Sequence, residues 1–296
     1  MAIATDRADA PGAESGTPTL PAAVARQPRF VVLDGLRGLA AFLVVGHHLQ
    51  NQMRASGPFS HGYLAVDFFF VLSGFVVASA YEGRLRGGMT LAEFAKVRFM
   101  RLYPLMVLGT LFATVLSIAR EQGVTFSILT FLGQLFLIPG LTGGATLFVL
   151  NTPYWSLFFE ILANFGHAAT LRWATTRRLA VWTALAALAV IFTARTMHHL
   201  GGGWSLHNAW AGIVRVGFSY PLGVLIYRLN KAGRLPSIVL PGPVVGLLLA
   251  ATILCAAMVG NWAMDAACVI VAFPLVLILG LNAHAGRAGA LVAWMG

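Results

Sequence analysis

Long apolar stretches broken by short polar intervals recur along the chain after residue 28. Eight of them lie at about 30–50, 62–81, 102–120, 153–171, 179–195, 208–228, 238–259 and 263–282. Each has roughly the 20 residues that a helix needs to cross ~30 Å of hydrocarbon. The pattern predicts an all-α fold, a polytopic membrane helix bundle. One further run, about 126–140, is shorter and ends in Pro139-Gly140, and length alone does not decide whether it crosses. Residues 1–28 are rich in Ala, Pro and Gly without apolar periodicity, which predicts a disordered tail ahead of a single transmembrane domain over 29–296. No apolar core follows an early basic stretch, so the run from Phe30 is expected to serve as the first span rather than as a signal peptide.

Charge settles the orientation of these elements. Arg84, Arg86, Lys96, Arg98 and Arg101 form one basic group, Arg172, Arg177 and Arg178 a second, and Arg228, Lys231 and Arg234 a third. All three share one side of a membrane only if the run at 126–140 enters and leaves by the same face. The expectation is therefore about eight spans, one re-entrant or non-crossing segment, and a cytoplasmic N-terminus.

Composition agrees. Of 296 residues, 58% are hydrophobic and 10% charged, far below the roughly 25% charge of soluble domains. The net charge of +10 sits in clusters between apolar runs, a membrane-loop bias rather than a nucleic-acid surface. Cys255 and Cys268 lie inside apolar stretches without metal-ligand spacing and read as packing residues.

Charged groups inside spans are costly and mark function by default. Four stand out, Arg37, Asp67, Glu160 and Arg215, and His48 joins them as a proton-transfer group. Arg120, Arg195 and Asp265 fall at span ends, where the interface accounts for them. Arg37 and His48 share the first span, and eleven residues at 100° each return them to nearly one face, about 16 Å apart along the axis. Both can line one cavity, or His47 and His48 can simply end the span at the interface. By depth, Asp67 and Glu160 are expected near His48, where a carboxylate would fix the imidazole tautomer. Arg215 is expected to be the partner of Glu160. Ser73-Gly74 suits close helix approach, and Tyr154 and Trp155 suit an interfacial aromatic belt. Arg98 and Arg101, three apart on one helical face, serve equally as a phosphate-binding pair and as a topology signal.

Taken in order, LDGLRGLAAFLVVGHH, VDFFFVLSGF, FAKVRFMRLYP and YWSLFFE resemble the acyltransferase 3 family of integral membrane acyltransferases. The resemblance is strong to about residue 170 and looser beyond, with FSYPLGVLIYRL as a weaker echo. It implies an O-acyltransferase of the bacterial inner membrane. The implied donor is cytoplasmic acyl-CoA, usually acetyl-CoA, and no metal is involved. The implied acceptor is a hydroxyl of a carbohydrate or glycoconjugate, such as a cell-surface polysaccharide or lipid-linked glycan. Membrane lipid is the remaining partner. The family's Arg-(ten residues)-His pattern falls on Arg37 and His48, its Arg-x-x-Arg on Arg98 and Arg101, and its Trp-Ser-Leu-x-x-Glu on Trp155 to Glu160. Those residues imply catalytic roles for His48, Glu160, Asp67 and Arg37, and acyl-CoA binding by Arg98 and Arg101. Family members normally continue into two more spans where this sequence reaches ALVAWMG, so the resemblance predicts a C-terminally short member. A multipass transporter of a sugar or lipid, or an inactive relative, are the alternative readings of the same polar groups.

Overall fold

A computed structural model describes residues 30–119, 128–141 and 145–284. The tail at 1–28, the start of the 126–140 run and the ALVAWMG segment lie outside them. The described residues form ten α-helices with no β-strand: α1 (Val31–Gln52), α2 (Ala65–Arg86), α3 (Leu91–Ala119), α4 (Ile128–Leu135), α5 (Tyr154–Thr170), α6 (Thr176–Met197), α7 (Ala209–Lys231), α8 (Gly242–Val259), α9 (Trp262–Ala267) and α10 (Phe273–Leu281). A 3-10 turn at Gly62–Leu64 leads into α2, and a π-helical turn at Cys268–Ala272 joins α9 to α10.

Seven helical segments among the described residues are long and apolar enough to cross a membrane, the last being the continuous Trp262–Leu281. Helix α5, with 17 residues, extends about 26 Å, a little short of the hydrocarbon thickness. By contrast α4 has 8 residues, about 12 Å, too short to span hydrocarbon. The Gln134 side chain at its end bonds both backbone groups of Asn151, accepting from N at 3.4 Å and donating to O at 3.4 Å. That clasp returns the chain to the head of α5, and the described part of the run holds only this one short helix.

One boundary differs from the pattern. Helix α3 begins at Leu91, eleven residues before the predicted span, so the basic FAKVRFMR segment is helical rather than loop. Its start is a capping box: Glu93 Oε2 accepts from Thr90 N at 2.8 Å, and Thr90 Oγ1 accepts from Glu93 N at 3.2 Å. Phe94 and Arg98 face inward from this turn and are buried. The helix runs through Pro104, which removes one backbone bond without ending it.

Helices α2 and α7 form the most extensive pair in the bundle. Their backbones touch at two glycines: a Cβ on Gly74 would overlap the carbonyl of Tyr220, and one on Gly223 that of Val71. Small residues allow this approach, which seals the bundle where membrane offers no hydrophobic drive. Gly74→Val is accordingly expected to destabilise the fold by about 3 kcal/mol or more, since the obstacle is backbone that cannot rotate away. Gly83→Ala on the same helix, whose Cβ meets nothing within 4 Å, should be tolerated. Thermal denaturation in detergent separates the two, and equal melting temperatures would contradict the packing account.

Candidate active site

Three layers of polar groups cross the bundle. At the end opposite the basic clusters, α1, the 3-10 turn, α2, α7 and α9 converge. Arg215 and Asp67 are completely buried there, with side-chain exposures of 0% and 0%. The guanidinium grips the carboxylate through Nε (3.1 Å to Oδ2) and Nη2 (2.6 Å to Oδ2). It also donates to the carbonyls of Gly202 (2.7 Å) and Tyr63 (3.0 Å). Ser219 donates to Asp67 Oδ1 at 3.4 Å, and the Trp155 ring lies 5.2 Å from the guanidinium carbon. Arg215 therefore belongs to Asp67, not to Glu160, and the carboxylate of Asp67 is committed to Arg215, not to the imidazole of His48. Similar depth along two spans does not make their polar groups partners, because which helices are neighbours is set by lateral packing.

Asp265 is a second buried carboxylate in this layer, rather than an interfacial one. It accepts from Tyr63 Oη at 2.7 Å and Leu200 N at 2.9 Å, with His61 Nε2 at 3.6 Å. An acidic residue four positions into an apolar run was the available signal. Tyr63 links the layer together, with the His47 ring 5.5 Å and the His199 ring 6.5 Å from its own.

The two adjacent histidines of α1 are not equivalent. His47 Nδ1 donates to the carbonyl of Phe59 at 3.0 Å, and its Nε2 accepts from Asn51 Nδ2 at 2.9 Å. Both nitrogens are engaged, which fixes one neutral tautomer. His48, half-buried beside it with ring centroids 5.5 Å apart, has no hydrogen-bond partner among the described residues. It is the imidazole of the pair that is open to a ligand.

The middle layer holds Glu160. Ser73 donates to its Oε1 at 2.6 Å, and Arg98 Nη2 donates to the same oxygen at 3.4 Å. Ser73 lies six residues beyond Asp67 on α2, about 9 Å along the helix, so Glu160 is deeper than its place in the sequence suggested. The early start of α3 explains this, because it brings Arg98 into the bundle, 7% exposed, instead of leaving it on a loop. The Ser73-Gly74 pair thus divides its work: Gly74 packs, and Ser73 positions the carboxylate. Arg98 Nε has no partner among the described residues. Arg101, one turn on, is exposed. Arg37 pairs with Asp34 at 3.5 Å and lies within electrostatic range of Arg101, Arg98 and Glu160. The three arginines thus share a field although they come from two helices.

A third layer at the basic end joins α2, α5 and α7, and sequence reasoning missed it. Glu82 Oε1 accepts from Arg228 Nη2 at 2.7 Å and Nε at 2.9 Å, with His167 Nε2 at 3.3 Å. Arg228 also donates to the carbonyl of Ala174.

Comparison with known proteins gives this arrangement its family. Over 186 residues the chain is 37% identical to "Protein 2 in picA locus" of Rhizobium radiobacter, covering 56% of this chain and 95% of that protein. Over 82 residues it is 42% identical to the O-acetyltransferase OatA of Staphylococcus aureus, 26% of this chain and 12% of OatA. Over 74 residues it is 38% identical to the peptidoglycan O-acetyltransferase OatA of Listeria monocytogenes, 24% of this chain and 11% of that enzyme. The chain thus spans nearly the whole of the first relative but about an eighth of the length of the other two. No solved structure matches it. The acyltransferase domain model of the acyltransferase 3 family matches residues 30–296, and the chain belongs to that family of membrane acyltransferases.

Proposed function

We propose that the protein moves an acetyl group from acetyl-CoA at the cytoplasmic, basic end to a hydroxyl of a carbohydrate acceptor nearer the other face of the bacterial inner membrane. The observation that carries this reading is the pairing on α1 of an imidazole with no protein partner and, about 16 Å below it, an arginine that shares its field with Arg98 and Arg101. Arg101 and Arg37 suit the phosphates of CoA, since their guanidiniums are more accessible than that of Arg98. Arg98 and Glu160 form the wall past which the pantetheine arm would carry the thioester. At the outer end His48 takes the proton of the acceptor hydroxyl as its oxygen attacks the thioester carbon. The imidazolium then returns that proton to the departing CoA thiolate, leaving an ester on the acceptor. Asp67, spent on Arg215, supports this step by holding α2 and α7 in place rather than by touching His48. The name of the Listeria relative supports a polysaccharide such as peptidoglycan as the acceptor class.

Arg101→Ala tests the donor site most cleanly, because Arg101 is exposed, whereas Arg98→Ala would also remove the contact to Glu160. The loss of one charge-assisted contact should raise the KM for acetyl-CoA about tenfold or more, with the KM for the acceptor little changed. An unchanged donor KM would remove the phosphate role.

A further inference from the structure

Helices α5, α6 and α7 enclose a cavity of 540 Å³ at the basic end, walled chiefly by carbon from Trp173, Leu179, Trp182, Val216 and Val224. Arg178 and Trp182 also line a second recess of 620 Å³, in which Arg177 and Thr175 stand. That recess surrounds the start of the 22-residue α6, where Thr175 Oγ1 accepts from Arg178 N at 3.2 Å. A helix N-terminus flanked by two guanidiniums favours an anion. Among the described residues lining these two recesses there is no carboxylate.

A second observation lies inside the cavity. The His167 side chain lines it and is 8% exposed, yet Nδ1 has no hydrogen-bond partner among the described residues. Its Nε2 lies 3.3 Å from Glu82, and Nδ1 is a buried polar atom that a ligand would satisfy. An occupant of this cavity therefore needs an anionic end, a polar group set back from it, and a long apolar body.

We propose that this groove binds an anionic phospholipid of the cytoplasmic leaflet. Its phosphate sits on Arg177, Arg178 and the N-terminus of α6, an ester carbonyl accepts from His167 Nδ1, and one acyl chain fills the cavity between α5 and α7. A soluble anion would satisfy the arginines but leave the apolar cavity and the imidazole unmet. The side chains of Trp182 and Ile213, both exposed, open the groove towards lipid. The occupied cavity backs α5 two turns from Glu160, behind the Tyr220 hydroxyl that donates to Asn164 Oδ1 at 2.9 Å, so the lipid braces the helix that carries Glu160.

Two glycines allow the cavity to be filled without disturbing its walls. Gly166 and Gly217 both line it, and a Cβ on either meets nothing within 4 Å. The test is native mass spectrometry of the full chain released from detergent with dioleoyl phosphatidylglycerol or dioleoyl phosphatidylcholine. One phosphatidylglycerol should be retained at least tenfold more tightly than phosphatidylcholine. Gly166→Leu and Gly217→Leu should lose it at unchanged melting temperature, and the Arg177→Ala/Arg178→Ala variant should bind both lipids equally. Equal retention of the two lipids by the unaltered protein, or undiminished retention by both filled-cavity variants, overturns the proposal. So does displacement of the lipid by inorganic phosphate or acetyl-CoA at equal concentration, which would make the site a soluble-anion site.

Discussion

His48→Ala should lower acetyl transfer by about a thousandfold while leaving the protein folded, the middle of the range for loss of a general base. The imidazole makes no hydrogen bond to another described residue, so its removal orphans no buried group. The neighbouring His47→Ala is the instructive control. It removes the contact to Phe59 that ties the loop after α1 to the helix, so it should lower the melting temperature and reduce activity only in proportion. Steady-state rates and thermal denaturation of both variants, measured side by side in detergent, give the comparison. An inactive relative that serves as a scaffold predicts that neither variant changes any rate.

The second large effect is on stability and concerns Asp67 and Arg215. Breaking a buried pair by changing one member leaves the other charged and unpaired, at a cost of about 3–5 kcal/mol. Asp67→Asn and Arg215→Met should each unfold the bundle at markedly lower temperature. The double variant Asp67→Leu/Arg215→Met should recover part of the loss, because it strands no charge. Recovery stays partial because Arg215 also satisfies the carbonyls of Gly202 and Tyr63. Were Asp67 a catalytic partner of His48 instead, Asp67→Asn would keep its melting temperature and lose turnover. The double variant would then be stable and inactive.

The spans were legible in the sequence because each α-helix carries its own apolar signal, and α1, α5 and α7 begin within a residue or so of the pattern. The start of α3 was missed because Lys96, Arg98 and Arg101 looked like loop charge. Thr90 and Glu93, at capping-box spacing, were the local sign that a helix begins there. The polar residues that matter were nearly all visible as charges inside apolar runs. Their partners were not, since Asp67 with Arg215 and Glu160 with Arg98 are contacts between helices more than 60 residues apart in sequence. Depth along a span orders groups in one dimension only, and lateral order comes from close approaches such as that of Gly74 on α2 to Tyr220 on α7. The same limit hid Asp265, whose burial depends on Tyr63 and Leu200 arriving from two other segments. The transporter reading drew on the same buried charges, and it yields to a family match over 30–296.

The central claim is that acetyl passes from a donor at the basic end to an acceptor hydroxyl through His48. It is tested most directly in sealed inside-out membrane vesicles that carry the chain and are supplied with radiolabelled acetyl-CoA from the cytoplasmic side. The account predicts base-labile label on carbohydrate within the lumen, absent from vesicles with His48→Ala at equal expression. Label equal to that of vesicles lacking the protein, or label undiminished by His48→Ala, would contradict it.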